Sequence, residues 1–198
     1  MSKAVLMSIQ PKWCELIASG KKTVEVRKTR PKLETPFKVY IYQTKKPVSV
    51  SLIGTGRHIS EYDKIEWFTE KSGMVIGEFV CDNINRLVRV GFTGSKYSEY
   101  RAVTDNGTLL GDNIFDFACL TKKNINLYLD GKIGYAWHIS NLVIYDEPKT
   151  LSVFRKTCVN ELHCESCAMY NEFNNYCGNK ALRLKKPPQS WCYVEELA

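Results

Sequence analysis

Charged and hydroxyl side chains alternate with valines in the stretch Gly20-Lys-Lys-Thr-Val-Glu-Val-Arg-Lys28. This alternation has the period of a β-strand, so Val24 and Val26 face a core while Thr23, Glu25 and Arg27 are exposed together on the other face. Lys21 and Lys22 at the start of the strand and Lys28 after its end complete the set of candidate binding residues. Lysine and arginine bind phosphate, and glutamate accepts hydrogen bonds from exocyclic amines. The pattern indicates a nucleic-acid or nucleotide site; the alternative is an exposed strand face with cross-strand charge pairs.

Five of the eight cysteines lie in the last 41 residues, which is a second grouping capable of chemistry. Cys164 and Cys167 have the Cys-x-x-Cys spacing that lets two thiolates reach one tetrahedral ion, and Cys177 and Cys192 would complete a closed four-sulfur site. Cys158 and His163 are possible substitutes. The spacing predicts structural zinc, although four thiolates also suit iron. The alternatives are a redox dithiol at Cys164 and Cys167, or reduced surface thiols.

The positive charge is concentrated in the first quarter of the chain. Residues 1–46 hold eleven Lys/Arg and three Asp/Glu, a balance of +8, so the remainder carries −1 of the total of +7. A charge confined to one segment attracts polyanions by steering and counterion release. The alternative is a solvated lysine-rich surface. No apolar run approaches the length of a membrane span or a secretory signal, so we expect a cytoplasmic protein that does not enter a membrane.

Local signals predict short helices among many strands. Pro11 suits a first helical position and Gly20 a left-handed C-cap, which predicts a helix over about 11–19. Thr121 can cap a second helix that carries Ile125, Tyr128 and Leu129 inward and ends near Asp130. Strand-like runs after the 23–27 stretch occur at about 37–43, 50–55, 74–82, 84–90 and 135–145. Many short strands favour a barrel over a parallel sheet, and residues 92–116 are predicted to form an irregular insertion.

The run Met7-Ser-Ile-Gln-Pro-Lys-Trp13, the predicted helix and the motif Gly20–Lys28 together resemble the opening of the ASCH family, a branch of the PUA-like superfamily. Gly134-Tyr-Ala-Trp-His-Ile-Ser140 resembles the closing strand of that family. The resemblance covers about residues 3–145. It implies an α+β fold, a PUA-like β-barrel with flanking short helices, whose cleft faces RNA or a modified nucleotide. Lys22, Thr23, Glu25 and Arg27 match the motif of that cleft, and Trp137 or His138 could contribute; the alternative is that both are structural.

The resemblance also raises an enzymatic alternative. One ASCH-related group hydrolyses acetylated cytidine with a lysine, a threonine nucleophile and a glutamate. Its lysine corresponds to Lys22, but its threonine corresponds to Glu25, which cannot replace a hydroxyl nucleophile without a changed mechanism. Other ASCH proteins resemble small ribonucleases, and a Lys22/Glu25 pair could support acid–base chemistry. A nucleotide- or RNA-directed hydrolase using Lys22 and Glu25 is therefore the alternative to binding alone.

The composition changes near residue 150, which predicts a barrel domain over 1–150 and a small zinc-stabilised segment over 151–198. The ten residues from Pro187 to Glu196 resemble the tails of phage and prophage ASCH-like proteins. Four cations in the tail could also dock a partner, so a phage accessory module that binds another protein is a further alternative. These cations are Lys180, Arg183, Lys185 and Lys186.

Overall fold

The structure is a computed structural model that describes residues 2–45, 71–91, 98–111, 113–158, 167–171 and 176–197. The helices within these ranges are α1 (Pro11–Ala18), α2 (Ile114–Phe117) and α3 (Lys122–Leu129). The first strands are β1 (Lys3–Ile9), β2 (Val24–Arg27), β3 (Phe37–Gln43), β4 (Val75–Cys81), β5 (Ile84–Gly91) and β6 (Ser98–Val103). The later strands are β7 (Gly134–His138), β8 (Ser140–Lys149), β9 (Tyr170–Asn171), β10 (Tyr176–Cys177) and β11 (Trp191–Glu195). Short 3-10 helices lie at Leu151–Val153 and Lys180–Leu182.

The described strands form three sheets, with the orders β11-β1-β3-β4-β8, β10-β9 and β2-β7-β5-β6. The mixed α+β class is thereby confirmed. The closed barrel predicted from the sequence is not seen among the described residues. By its contacts the chain divides into two compact units: unit 1 is Met1–Pro11, Lys38–Glu78 and Tyr145–Ala198, and unit 2 is Lys12–Phe37 and Phe79–Ile144.

Unit 1 is organised around β1, in which six consecutive residues are buried. Such a continuous buried run is typical of a strand that has both neighbours and both faces covered. β1 pairs in parallel with β3 and antiparallel with β11, so Leu6 lies opposite both Tyr40 and Cys192. Phe154 and Val194 pack into the same apolar cluster as Ala4 and Leu6. The tail beyond residue 150 therefore supplies part of the core of this unit.

Unit 2 contains the four-stranded sheet, helices α2 and α3, and α1 from Lys12 onward. Its apolar cluster lies on one face of that sheet, where residues of α2 and α3 pack against Val24, Val26, Leu87 and Ala136. Helix α3 begins after Thr121, whose side chain accepts a hydrogen bond from the backbone N–H of Asn124. It ends at Asp130 in the left-handed region, with φ 51°. These caps were predicted from the sequence and are confirmed.

Most of the predicted elements are confirmed within one or two residues. These are α1, which ends before Gly20 at φ +73°, and the strands predicted at 23–27, 37–43, 74–82 and 84–90. The run predicted at 135–145 is two strands, because the ladder is interrupted at Ile139. The strand predicted at 50–55 lies outside the described residues.

The predicted irregular insertion over 92–116 is wrong where the structure describes it, because β6 and α2 lie there. β6 was missed because only Tyr100 and Ala102 carry its apolar face, which is too short a pattern to indicate a strand by itself. Tyr128 was also predicted to point inward, but it is 39% exposed.

Candidate functional site

All four residues of β2 are buried, although the sequence predicted one polar face in contact with solvent. Val24 and Val26 lie on the apolar face, as predicted. Glu25 and Arg27 lie on the other face, and their exposed fractions are only 7% and 8%. The prediction that they are exposed is wrong, because this face of the short strand is also covered by protein.

Lys22, Glu25 and Arg27 form a buried charged triad. One oxygen of the Glu25 carboxylate lies 3.3 Å from Lys22 Nζ, and the other lies 3.1 Å from Arg27 Nη2. Lys22 is 2% exposed, and its ammonium also donates a 2.6 Å hydrogen bond to the backbone carbonyl of Ala118 at the end of α2. A buried charge is tolerated when it is paired and hydrogen-bonded in this way. The triad contains two cations and one carboxylate, so it carries a net charge of +1.

Helix α1 supplies two neighbours of the triad. Lys22 Nζ lies 5.1 Å from the centroid of the Trp13 ring, within the range of a cation–π contact. Burial raises the pKa of the Cys14 thiol, and the negative charge of Glu25 raises it further, while the positive charge of Arg27 acts in the opposite direction. Cys14 is therefore a buried, neutral thiol beside the triad.

Trp137 lies directly opposite Glu25 in the β2–β7 ladder and is fully buried. Its ring packs edge-to-face on Phe37, with centroids 5.7 Å apart. Since its ring is enclosed on this side of the sheet, Trp137 serves as a core residue in this structure rather than as an open surface for stacking a base.

Lys21 and Lys28, at the two ends of the motif, are exposed, and Thr23 is partly exposed. Lys28 Nζ lies 5.1 Å from the centroid of the Tyr128 ring. The backbone N–H of Thr23 donates to Phe117 O, and its carbonyl accepts from Ile139 N, so this residue is fixed between α2 and the end of β7. The structure thus divides the predicted site residues into a buried charged triad and a more accessible set.

His138 forms an ion pair or hydrogen bond with Asp82, at 2.6 Å from Nδ1 to Oδ1. Both side chains are more than two-fifths exposed. Partial burial acts to raise the pKa of Asp82, but hydrogen bonds from His138 and Ser140 outweigh it, so the pKa lies below its ordinary value. Asp82 was not identified from the sequence, because its partner is 56 residues away along the chain.

A cavity of about 550 Å³ lies in unit 2 between the loop of residues 30–35 and the residues Asn83, Ile84 and Asp105. An ion pair joins Arg30 and Asp105, at 3.2 Å between Nη1 and Oδ1. The lining therefore offers both hydrogen-bond donors and acceptors. Neither the loop nor Asn83 was identified as a site from the sequence, since no periodic pattern marks them.

The structure describes three of the four cysteines predicted to bind zinc, while Cys164 lies outside the described residues. Cys167 accepts a hydrogen bond on its carbonyl from Tyr170 N, and Cys177 lies opposite Tyr170 in the β9–β10 hairpin. Cys192 packs against the apolar cluster of unit 1. Burial raises the pKa of its thiol, while Lys156 acts to lower it. Among the described residues, no three His, Cys, Asp or Glu side chains are grouped so that they could hold a metal ion.

Comparison with known sequences identifies the family of this chain. The sequence profile of the ASCH domain matches residues 7–107, just over half of the chain. This protein therefore belongs to the ASCH domain family. No curated protein matches it. Within the part of the chain that the structure describes, no helix is long and apolar enough to cross a membrane.

The solved structures that are similar to this chain include three from one protein, each at 18% sequence identity and each covering 98% of this chain. The crystal structure of ASCH from Zymomonas mobilis has a TM-score of 0.45, with 88% of its own chain covered. A tyrosine-to-phenylalanine mutant of the Zymomonas mobilis protein has a TM-score of 0.45 and 92% coverage. A serine-to-alanine mutant of the same protein has a TM-score of 0.44 and 89% coverage.

Proposed function

We propose that this protein binds RNA or a modified nucleotide through the basic surface around β2. The observation that carries this proposal is the charged triad, whose net charge of +1 is held away from water and is flanked along the chain by exposed Lys21 and Lys28. In a poorly solvated site an excess positive charge acts over a longer distance than in water. An anionic group beside it would be favoured, and phosphate is the anion that such lysine and arginine groups bind best.

The exposed lysines provide the cleanest test, because their removal leaves the core intact. We expect Lys21→Ala/Lys28→Ala to bind a short single-stranded RNA more weakly than the wild type. If each lysine contacts one phosphate, the slope of log K against log salt falls by roughly 1.4 in magnitude, since each contact on a single strand contributes about 0.7. Single-stranded DNA of the same sequence serves as the comparison ligand.

The matched control is Lys185→Ala/Lys186→Ala, which removes the same charge from the tail. If binding depends on Lys21 and Lys28 but not on the tail pair, the β2 surface is the binding site. If only the tail pair matters, the proposal fails and docking through the tail is favoured. An absence of RNA binding would leave a protein partner or a free nucleotide as the ligand.

A hydrolase that acts on a nucleotide or on RNA is the second candidate, because Lys22 and Glu25 lie within 3.3 Å of each other. In this arrangement each group is engaged by a partner, so either would have to leave its ion pair before it could transfer a proton. Incubation of the pure protein with acetylcytidine and with RNA tests this candidate. Hydrolysis by the wild type that is absent in Lys22→Met would support the hydrolase. Unchanged substrates after long incubation with the wild type would refute it.

We propose that a structural zinc ion orders the tail through Cys164, Cys167, Cys177 and Cys192. The β9–β10 ladder supports one pair of this set, because it brings the backbone at Cys167 and Cys177 to the same end of a short ladder. Cys192 is not grouped with these two cysteines among the described residues, so the proposed site requires it to approach them. Cys167 and Cys177 would each provide one thiolate of a tetrahedral site. Cys164 would provide a third, because it forms the Cys-x-x-Cys pair with Cys167. Binding would deprotonate the thiols outright, which overcomes the raised pKa of Cys192.

Metal content of the purified chain tests this proposal. We expect about one zinc per chain in the wild type and a loss of metal in Cys167→Ser. Cys192→Ser and Cys158→Ser are a matched pair that identifies the fourth ligand. Loss of zinc in Cys192→Ser alone supports Cys192 as that ligand, and loss of zinc in Cys158→Ser alone identifies Cys158 instead. Bound iron together with visible absorbance would identify the metal as iron rather than zinc. A folded protein that contains no metal would refute the site.

The remaining predictions stay proposals with tests of their own. The division into a barrel domain over 1–150 and a cysteine-rich tail over 151–198 is tested by limited proteolysis, and a closed PUA-like barrel is tested by an experimental structure. Cytoplasmic location is tested by fractionation. An origin in a phage or prophage, and a protein partner for the tail, are tested by genomic context and by pull-down with the full chain.

A further inference from the structure

One face of the four-stranded sheet carries a row of residues that begins at Arg27 of the sequence motif and continues to Tyr135 and Arg86, which lie outside the motif. Across the antiparallel ladders, Arg27 lies opposite Tyr135, Tyr135 lies opposite Arg86, and Arg86 lies opposite Val103. Residues directly opposite each other in antiparallel strands point to the same face. This arginine row therefore lies on the face opposite the apolar cluster, next to the charged triad.

Arg86 differs from the other arginine of this row in its partners. Arg27 is buried and held by Glu25, whereas Arg86 is only partly buried. Among the residues that the structure describes, the Arg86 guanidinium has no hydrogen-bond or ion-pair partner. A guanidinium in such a position is a planar fork of donors that can bind a phosphate in a bidentate manner.

A second row on the same face, formed by Glu25, Trp137 and Ile84, leads to the cavity. Glu25 lies opposite Trp137, and Trp137 lies opposite Ile84, which lines the cavity. Arg86 is two residues further along β5 on the same face, at roughly 7 Å by the rise of a strand. A ligand that fills the cavity can therefore reach Arg86 with one of its groups.

The cavity lining suits a nucleoside better than a simple anion. Arg30 and Lys32 are donors, Glu34 and Asp105 are acceptors, and the Asn83 amide provides both. These groups match the mixed donors and acceptors on the edge of a nucleobase. The cavity volume of about 550 Å³ lies within the range of small-molecule sites.

We propose that this cavity binds one nucleoside monophosphate unit, with its phosphate on Arg86 beside Tyr135 and its base near Asn83. This inference rests on the nucleotide-binding function proposed above and identifies the contact residues for a single unit. The same chemistry is present in a free mononucleotide and in one unit of an RNA chain. Arg27 contributes to the row as a guanidinium held in place by Glu25.

Binding of the full chain to CMP, AMP, GMP and UMP, to the matching nucleosides and to a ten-nucleotide single-stranded RNA tests the site by calorimetry. We expect Arg86→Ala to weaken binding of a mononucleotide by about tenfold or more, which is the usual cost of losing a charged hydrogen bond. Binding of the nucleoside should change little, and Arg86→Lys should restore part of the affinity. Asn83→Ala should weaken nucleoside and nucleotide alike.

Arg89→Ala is the matched control. Arg89 lies on the same strand with the same charge, but three residues away and on the opposite face of the sheet, where it is exposed. We expect it to change mononucleotide affinity by less than about twofold, since a distant exposed charge acts only through a screened field. An equal loss in Arg86→Ala and Arg89→Ala would overturn the site.

The outcomes also separate this site from the more general function. If the wild type binds RNA through Lys21 and Lys28 but Arg86→Ala has no effect, the cavity site is wrong and the proposed function stands. If the wild type binds neither RNA nor any mononucleotide, both fail. Binding of mononucleotides with an affinity equal to or above that of RNA identifies the free nucleotide as the ligand, and the reverse order identifies a chain.

Discussion

Replacement of Glu25 by glutamine tests whether the charged triad is held together by its single carboxylate. Glu25→Gln preserves the size of the side chain and removes its charge. Lys22 and Arg27 then keep their positive charges at exposed fractions of 2% and 8% without an opposite charge between them. Lys22 retains its hydrogen bond to Ala118 O, and the glutamine oxygen can still accept one hydrogen bond.

The expected cost follows from what remains buried. Removal of one member of a buried ion pair usually costs about 3–5 kcal/mol, because the partner is left as an uncompensated charge. The retained hydrogen bonds place Glu25→Gln near the lower limit, so we expect a loss of about 3 kcal/mol in the free energy of unfolding. For a chain of this size, each kcal/mol lowers Tm by about 2–4 °C, so the expected decrease is about 6–12 °C.

Glu99→Gln is the matched control, because Glu99 also binds two cations. Its carboxylate lies 3.0 Å from Lys122 Nζ and 3.5 Å from Arg101 Nη2, but it is 43% exposed. Exposed pairs contribute at most about 1 kcal/mol, so this substitution should have little effect. Urea unfolding followed by tryptophan fluorescence and a thermal melt measure both variants. If Glu25→Gln costs no more than Glu99→Gln, the triad is not a buried charge cluster in solution.

Four further changes have expected outcomes. A variant whose whole triad is replaced by Leu, Leu and Met should unfold at a higher temperature than Glu25→Gln, because apolar residues can replace a buried ion cluster at little cost. We expect this variant to lose RNA binding; a thermal melt measures the first effect and an RNA titration the second. Gly134→Ala should cost about 1–3 kcal/mol in urea unfolding, since its Cβ would lie 2.6 Å from a methyl group of Leu129. Phe154→Ala should cost about 3–5 kcal/mol, because this side chain is fully buried in unit 1; a smaller cost would contradict its place in the core. Because the pKa of Asp82 is lowered in the folded state, the stability it provides is present above about pH 4 and is lost as pH falls through the lowered value. Urea unfolding of Asp82→Asn and wild type should therefore differ at neutral pH and converge in acid.

Elements with local signals were the ones that sequence could predict. Helix α1 is marked by Pro11 at its start and by Gly20 after its end, and strand β3 by the aromatic and β-branched residues that dominate 37–43. The pairing of β11 with β1 joins residues about 190 positions apart, so no local pattern could indicate it. The change of composition near residue 150 likewise gave no indication that Phe154 and Val194 belong to the core of unit 1.

The candidate site was predicted in composition but not in exposure. The period-two pattern identified the correct faces of β2, because Val24 and Val26 do lie together against the apolar cluster. The rule that the polar face meets water holds for a sheet with one free face. Here Trp13 of α1 and the ring of Trp137 lie on the polar side, so Glu25 and Arg27 are buried. Arg86 and Tyr135 could not be associated with the motif before the register of three strands was known.

Burial of the triad changes how the motif is expected to work. Two buried cations and one carboxylate contribute little net stability compared with an apolar set of similar volume, so stability alone does not account for them. They do fix the position of Arg27 at the edge of the row that includes Tyr135 and Arg86. A guanidinium that is already ordered loses less conformational entropy when a phosphate binds. If the protein binds a nucleotide as proposed, we expect the lysine and glutamate of the motif to position Arg27 and bias the local field, and the exposed lysines and Arg86 to make the direct contacts.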